Sequence, residues 1–164
     1  MKKLNFGCGN DIKKGKEWDN VDIQKSPEVK SFDFNKFPYP IKDNTYDFVY
    51  TRNVLEHLDE PEKTIMEFWR MCKPNAVIEM IVPYYTNKGA YSSLNHKHFF
   101  NETAFEELIK QTTTINKKEK FKKIKILLVP SFPGKFFPRF LREKLSLFVS
   151  GLISEIYIKF EVIK

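Results

Sequence analysis

The sequence predicts an α/β domain: a mostly parallel sheet with helices on both faces and an antiparallel C-terminal hairpin. Three observations carry that expectation. Short apolar runs alternate with stretches of helical spacing through the first two thirds of the chain. Several of these runs end at Gly, Asp or Asn, where a parallel sheet opens its ligand crevice beyond the carboxyl ends of its strands. The last third turns to two alternating runs, residues 121–129 and 155–163, that read as paired strands around a long insertion.

Residues 3–6 form the first strand, stopped by the turn cluster Gly7-Cys8-Gly9-Asn10. Residues 10–17 are lysine-rich with a single apolar residue, Ile12, so the first crossover helix is expected to be shortened or absent. Residues 18–23 and 29–33 are further short strands, each with an acidic residue near its end. The prolines at 38 and 40 and the Asp43-Asn44 pair make the next stretch a loop, after which residues 46–51 resume as a strand. Asp59-Glu60-Pro61-Glu62 starts a helix, with Ile65, Phe68, Trp69 and Cys72 at helical spacing and Lys73-Pro74-Asn75 as its stop. Residues 76–82 read as a buried strand, 83–101 as a long loop, and Thr103 to Glu106 as a capping box opening another helix.

A chain of 164 residues suits a single domain, residues 1–164, with a core large enough to need no disulfides. Its 41% hydrophobic and 30% charged residues suit a soluble globular protein. Cys8 and Cys72 are too few and too far apart for a disulfide framework or a zinc site, which points to a reducing, cytoplasmic setting. The first residues lack the pattern of a secretory signal, and the longest apolar run, residues 145–153, falls short of a membrane span. A net charge of +7 favours an anionic partner: nucleic acid, a phosphorylated sugar or lipid, or an acidic membrane surface.

Glycines at 7 and 9 let the chain turn sharply and bring its N–H groups close to a ligand. Asp22 can accept from both hydroxyls of a ribose, and Asp33 from an adenine amino group. The third glycine and helix start of a dinucleotide fingerprint are missing, so a nucleoside without pyrophosphate is the better fit. With these features in place, Leu4-Asn-Phe-Gly-Cys-Gly-Asn10, Val21-Asp22-Ile23, Tyr46-Asp47-Phe48-Val49 and Val54-Leu-Glu-His-Leu58 resemble the class I S-adenosylmethionine-dependent methyltransferases. Within that Rossmann-like class the chain is similar to the small type 11 group, in order from about residue 3 to residue 110. The resemblance implies S-adenosyl-L-methionine as cofactor. Gly7 and Gly9, with Phe6 and Cys8 beside them, then lie against its amino acid portion. Asp22, next to Ile23, holds the ribose, Asp33 with Phe34 frames the adenine, and Arg52 and Asn53 lie near the methionine end. The shortened crossover leaves one side of that pocket exposed, so weak cofactor binding is expected unless a partner or the acceptor covers it.

The three histidines fall in two places, His57 beside Glu56 after the fourth strand and His96 with His98 in the long loop after the fifth. Methyl transfer from a sulfonium needs mainly a positioned acceptor, but a hydroxyl acceptor must also lose a proton, for which imidazole has a suitable pKa. His57, His96 and His98 are therefore the candidate catalytic residues, and His57 can equally be a structural cap. Glu56, His57 and one of His96 or His98 also resemble part of the metal-binding pattern of small-RNA 2′-O-methyltransferases, with Asn53 in place of one glutamate. That substitution counts against a metal, and none is assigned. Tyr84, Tyr85 and Tyr91 in the same loop suit either packing or stacking on an acceptor.

Residues 130–154 place many aromatic and aliphatic side chains among Lys135, Arg139, Arg142 and Lys144, with helical spacing from Arg139. Such a segment suits packing over the sheet edge, a dimer contact, or peripheral contact with an anionic membrane. The combined expectation is O-methylation of a saccharide, lipid-linked saccharide or small molecule. The alternatives are a metal-assisted RNA ribose methyltransferase and a cofactor-binding module without catalysis. The acceptor is thus expected to be a small molecule or glycan before a nucleic acid.

Overall fold

The computed structural model describes residues 1–116 and 118–164. Its strands are β1 (Lys3–Phe6), β2 (Trp18–Asp22), β3 (Lys30–Ser31), β4 (Tyr46–Arg52), β5 (Cys72–Pro83), β6 (Phe121–Pro130) and β7 (Ile153–Val162). All seven join one sheet in the order β3-β2-β1-β4-β5-β7-β6. The pairs among β1 to β5 are parallel, while β7 runs antiparallel to both β5 and β6. The expected mixed sheet with its antiparallel C-terminal strands is therefore present. The helices are α1 (Pro61–Met71), α2 (Glu102–Asn116) and α3 (Arg139–Leu145).

Helices on both faces are not observed, because the long helices share one face. Leu4, Val49, Ile78 and Phe160 stand side by side in the strand register and are fully buried. Phe6 belongs to that face and meets Phe68 of α1 edge-on at 4.9 Å. Glu106 of α2 reaches Lys123, which pairs in register with Phe160 on the same face, at 2.7 Å. The aromatic loop between β3 and β4 packs there too, with Phe34 stacked on Phe6 at 4.0 Å.

The opposite face carries no helix among the described residues, for a reason visible in the chain. The connections that would supply its helices, residues 7–17 and 23–29, contain neither the length nor the apolar stripe of an amphipathic helix. Residues 7–17 instead lie against the sheet through two buried asparagines. Asn5 donates to Asn20 at 2.9 Å and to the Asp11 carbonyl at 2.7 Å, and Asn20 exchanges hydrogen bonds of 2.9 Å with the Lys13 backbone. These bonds satisfy backbone groups that a helix would have satisfied internally. Further along, that face carries the cross-strand ion pairs Lys159–Glu79 and Arg52–Glu155, both 2.8 Å.

Three boundaries differ from expectation. Asn101, rather than the Thr103 box, caps α2, its Oδ1 accepting from Ala104 N at 3.0 Å, because the helix starts at Glu102, two residues before the start a Thr103 cap implies. The strand β5 begins directly at Cys72, where Tyr46 pairs with it before a register shift. The short third strand covers only Lys30–Ser31. No helix among the described residues is long and apolar enough to cross a membrane.

Candidate active site

The first turn is built as the glycines require. Gly7 and Gly9 have φ of +71° and +47°, and the amides of Gly7 and Cys8 both donate to the Val21 carbonyl, at 2.9 and 3.1 Å. A Cβ on Gly7 would collide with the γ-methyls of Val54, so the loop after β1 is pressed onto the loop after β4. Asp22 accepts from Gly9 N at 2.7 Å through one oxygen and from Gln24 N at 3.0 Å through the other. Each carboxylate oxygen retains a lone pair for a ribose hydroxyl, in an orientation set beforehand by the backbone.

The remaining candidate cofactor residues divide into backbone and side-chain contributors. Phe6 and Phe34 bury their rings against each other in the core, so neither ring is free to stack on a ligand. The Cys8 side chain is buried, and burial pushes its thiol up from the ordinary range, with Asp22 adding to the effect. Ile23 and Asp33 are exposed at the ends of β2 and β3, where Asp33 accepts from Asn35 N at 3.0 Å and pairs with Lys36 at 3.5 Å. The glycine-loop backbone, Asp22 at the end of β2 and Asp33 just past β3 thus lie at the carboxyl edge of the sheet.

Arg52 and Asn53 leave β4 in different directions. Arg52 turns to Glu155, while Asn53 takes a left-handed φ of +53° and lines a cavity of about 290 Å³. That cavity is also lined by Glu56, His57, Asn87, Ser92, His96 and Glu155, among others. The short 3-10 turn of residues Leu55–His57 holds two of these, anchored by buried Leu55. The long loop is clasped onto this turn, since the amides of Lys97 and His98 both donate to the Glu56 carbonyl, at 2.7 and 3.2 Å. Lys97 also pairs with Asp59.

The clasp brings His57 and His96 together, their rings 4.5 Å apart and nearly perpendicular. Each imidazole engages a backbone carbonyl through Nδ1, His57 with Asn95 at 3.3 Å and His96 with Ala90 at 2.7 Å. Nδ1 then carries the proton, and Nε2 keeps its lone pair. Burial, then the nearby His96, lowers the His57 pKa from its ordinary value. Glu56 is 1% exposed and neither carboxylate oxygen has a hydrogen-bond partner. Desolvation pushes its carboxyl up to about 7.

His98 is separated from this group. It lines a second cavity, of about 420 Å³, with Glu60, Ile65, Phe100 and Phe105 between the first turns of α1 and α2. Tyr84 is packed in the core, whereas Tyr91 is exposed and stacks on Phe99 at 4.6 Å. Asn87, Ser92 and Glu155 had no sequence signal as cavity residues. Only the partner separation of 103 residues between Arg52 and Glu155, spanned by the antiparallel β7, brings the last of them in.

Residues 8–80 match the family described as "Methyltransferase domain". No curated protein matches the sequence. Among solved structures, a SAM-dependent methyltransferase from Archaeoglobus fulgidus is 17% identical with a TM-score of 0.72, over 98% of this chain and 85% of its own. A SAM-dependent methyltransferase from Mesorhizobium loti is 9% identical with a TM-score of 0.65, over 98% and 90%. In a Haloferax volcanii complex, the Trm112 methyltransferase activator is bound to a protein assigned as a methyltransferase, and the match is 12% identical with a TM-score of 0.64, over 99% and 82%. At these identities the likenesses show the fold.

The fold is that of S-adenosylmethionine-dependent methyltransferases and residues 8–80 match a methyltransferase domain, which together imply S-adenosylmethionine as cofactor.

Proposed function

We propose that the chain methylates a hydroxyl oxygen of a saccharide or lipid-linked saccharide, held in the cavity between the turn after β4 and the loop after β5. The observation that carries this reading is the meeting of His57, His96 and Glu56 beside Asn53, the residue that ends the methionine side of the cofactor ledge. The bound cofactor supplies an activated methyl group. Gly7, Gly9, Asp22 and Asp33 hold its adenosine and amino acid portions, so that the methyl faces the cavity. Asn53, Asn87 and Ser92 offer polar groups that suit a polyhydroxylated acceptor. His57, its pKa lowered, is neutral at pH 7 and takes the hydroxyl proton at Nε2, with His96 fixing its surroundings.

The insertion supports an acceptor presented at a membrane. Phe132, Phe136 and Phe148 are 77%, 76% and 87% exposed, among Lys135, Arg139 and Lys144. Exposed rings interspersed with cations suit an anionic lipid surface, where the rings enter the acyl boundary and the cations meet headgroups. The insertion is rooted at the cavity, since Gly151 N donates to the Thr86 carbonyl at 3.2 Å and Asn87 donates to the Ile153 carbonyl at 3.1 Å.

The test is transfer of radiolabelled methyl from the cofactor to saccharides and lipid-linked saccharides in anionic vesicles. Product on oxygen, reduced on the order of 10²-fold in His57→Ala, supports the reading. Tight cofactor binding with no product on any of these acceptors replaces it with a cofactor-binding module.

A further inference from the structure

Glu56 presents a problem that methyl transfer alone leaves unsolved. Its side chain is 1% exposed and both oxygens lack a hydrogen-bond partner, a state that costs the fold the desolvation of the carboxyl with nothing in return. A bound ion is one of the few features that account for such a group in a native structure. The two residues nearest in chemistry are histidines, and one ligand atom from each of Glu56, His57 and His96 lies within 4.8 Å of the other two.

The histidines are prepared in a particular way. Nδ1 of His57 faces the Asn95 carbonyl and Nδ1 of His96 faces the Ala90 carbonyl. A metal-bound imidazole ordinarily donates its second ring N–H to a backbone carbonyl or carboxylate, which fixes the tautomer and leaves the other nitrogen free to coordinate. Both rings here have that arrangement. We infer that Glu56, His57 and His96 form a binding site for a divalent transition-metal ion, open towards the cavity that holds the acceptor.

Two imidazoles and one carboxylate suit Zn²⁺, Mn²⁺, Co²⁺ or Fe²⁺, whereas Mg²⁺ and Ca²⁺ prefer oxygen throughout. A tetrahedral ion with bonds of about 2.1 Å draws its donors to roughly 3.4 Å apart, so modest side-chain rotations close the site from 4.8 Å. Three protein donors leave at least one position for an outside ligand, and that position opens on Asn53, Asn87 and Ser92. Neighbouring hydroxyls of a sugar, or a ribose end, are the ligands such an ion takes. With an ion bound, Nε2 of His57 would be a ligand instead of the base it is in the ion-free site, and the ion would lower the pKa of a bound hydroxyl so that its proton would leave to solvent. The inference shares the cavity with the proposed acceptor, but ion binding is read without any acceptor.

The test is titration of untagged, chelator-treated protein with Co²⁺, followed by visible absorption. One Co²⁺ per chain with a d–d band, displaced by Zn²⁺ and not by Mg²⁺, is expected. Glu56→Gln and His96→Asn, each checked for folding by circular dichroism, should weaken binding at least tenfold. Wild-type protein with no band overturns the site, and so does a band that persists unweakened in both folded variants. Chelator-treated protein that keeps full turnover while Co²⁺ binds with the expected pattern leaves the site standing and returns the proton to His57. Loss of transfer activity with intact Co²⁺ binding bears on the methylation reading alone.

Discussion

The backbone N–H of Gly9 donates to the Asp22 carboxylate at 2.7 Å, tying the turn after the first strand to the end of the second. One carboxylate therefore both shapes the glycine loop and stands where the ribose is proposed to bind. Asp22→Ala should lower cofactor affinity about 10- to 100-fold, the range for loss of hydrogen bonds to a charged group, and Asp22→Asn should fall between it and wild type. Calorimetric titration with S-adenosylmethionine checks this, and unchanged affinity in Asp22→Ala would remove Asp22 from the cofactor site. Because Ile23 and Asp33 are exposed, binding to wild type should tighten when acceptor is present.

Gly7 and Val54 make the second relationship open to mutation. The glycine has φ of +71° and its missing Cβ is what lets Val54 approach. Gly7→Ala should destabilise the protein by about 1–3 kcal/mol in urea unfolding, through backbone strain and steric overlap together. Trimming the neighbour in Gly7→Ala/Val54→Ala should relieve the overlap but not the strain. A double-mutant cycle with no coupling would show that the two loops do not press on each other.

Acid stability should depend on Asp19. Burial acts to raise this carboxyl, but hydrogen bonds from Lys30, Lys2 and Tyr46 outweigh it and hold the pKa down at about 2. A carboxyl depressed on folding stabilises the native state above its unfolded pKa, and the contribution fades as pH falls from about 4 towards 2. Asp19→Asn should lose about 2 kcal/mol at pH 7 and show a smaller drop in urea midpoint between pH 5 and pH 2.5 than wild type. Equal drops in both proteins would assign the acid sensitivity to other groups.

Membrane contact, if the insertion makes it, should depend on rings rather than charge alone. Phe132→Ser/Phe136→Ser/Phe148→Ser should abolish flotation with anionic liposomes and leave the melting temperature nearly unchanged, since these side chains are exposed. Flotation equal to wild type would leave the lysines and arginines as a non-specific basic patch.

The sheet, its antiparallel closing strands and the absent first helix were legible because each depends on local pattern. Apolar runs, the Gly7-Cys8-Gly9 turn and the single apolar residue between 10 and 17 need no distant partner to be read. The gathering of the long helices on one face was not legible, because face is set by crossover direction and by which connections are long enough to hold a helix. The same limit hid the division of the histidines. His96 and His98 are two positions apart, yet one joins His57 and the other lines the cavity between α1 and α2.

From its residues alone, this chain determined a parallel sheet with a glycine turn and two acidic strand ends, since hydrophobic alternation and backbone freedom are properties of short segments. Only the tertiary structure decided that Glu56 is buried without a partner, and that two imidazoles separated by 39 positions turn their rings towards one another. Burial and tautomer depend on what the rest of the fold places around a side chain, and no local pattern encodes them.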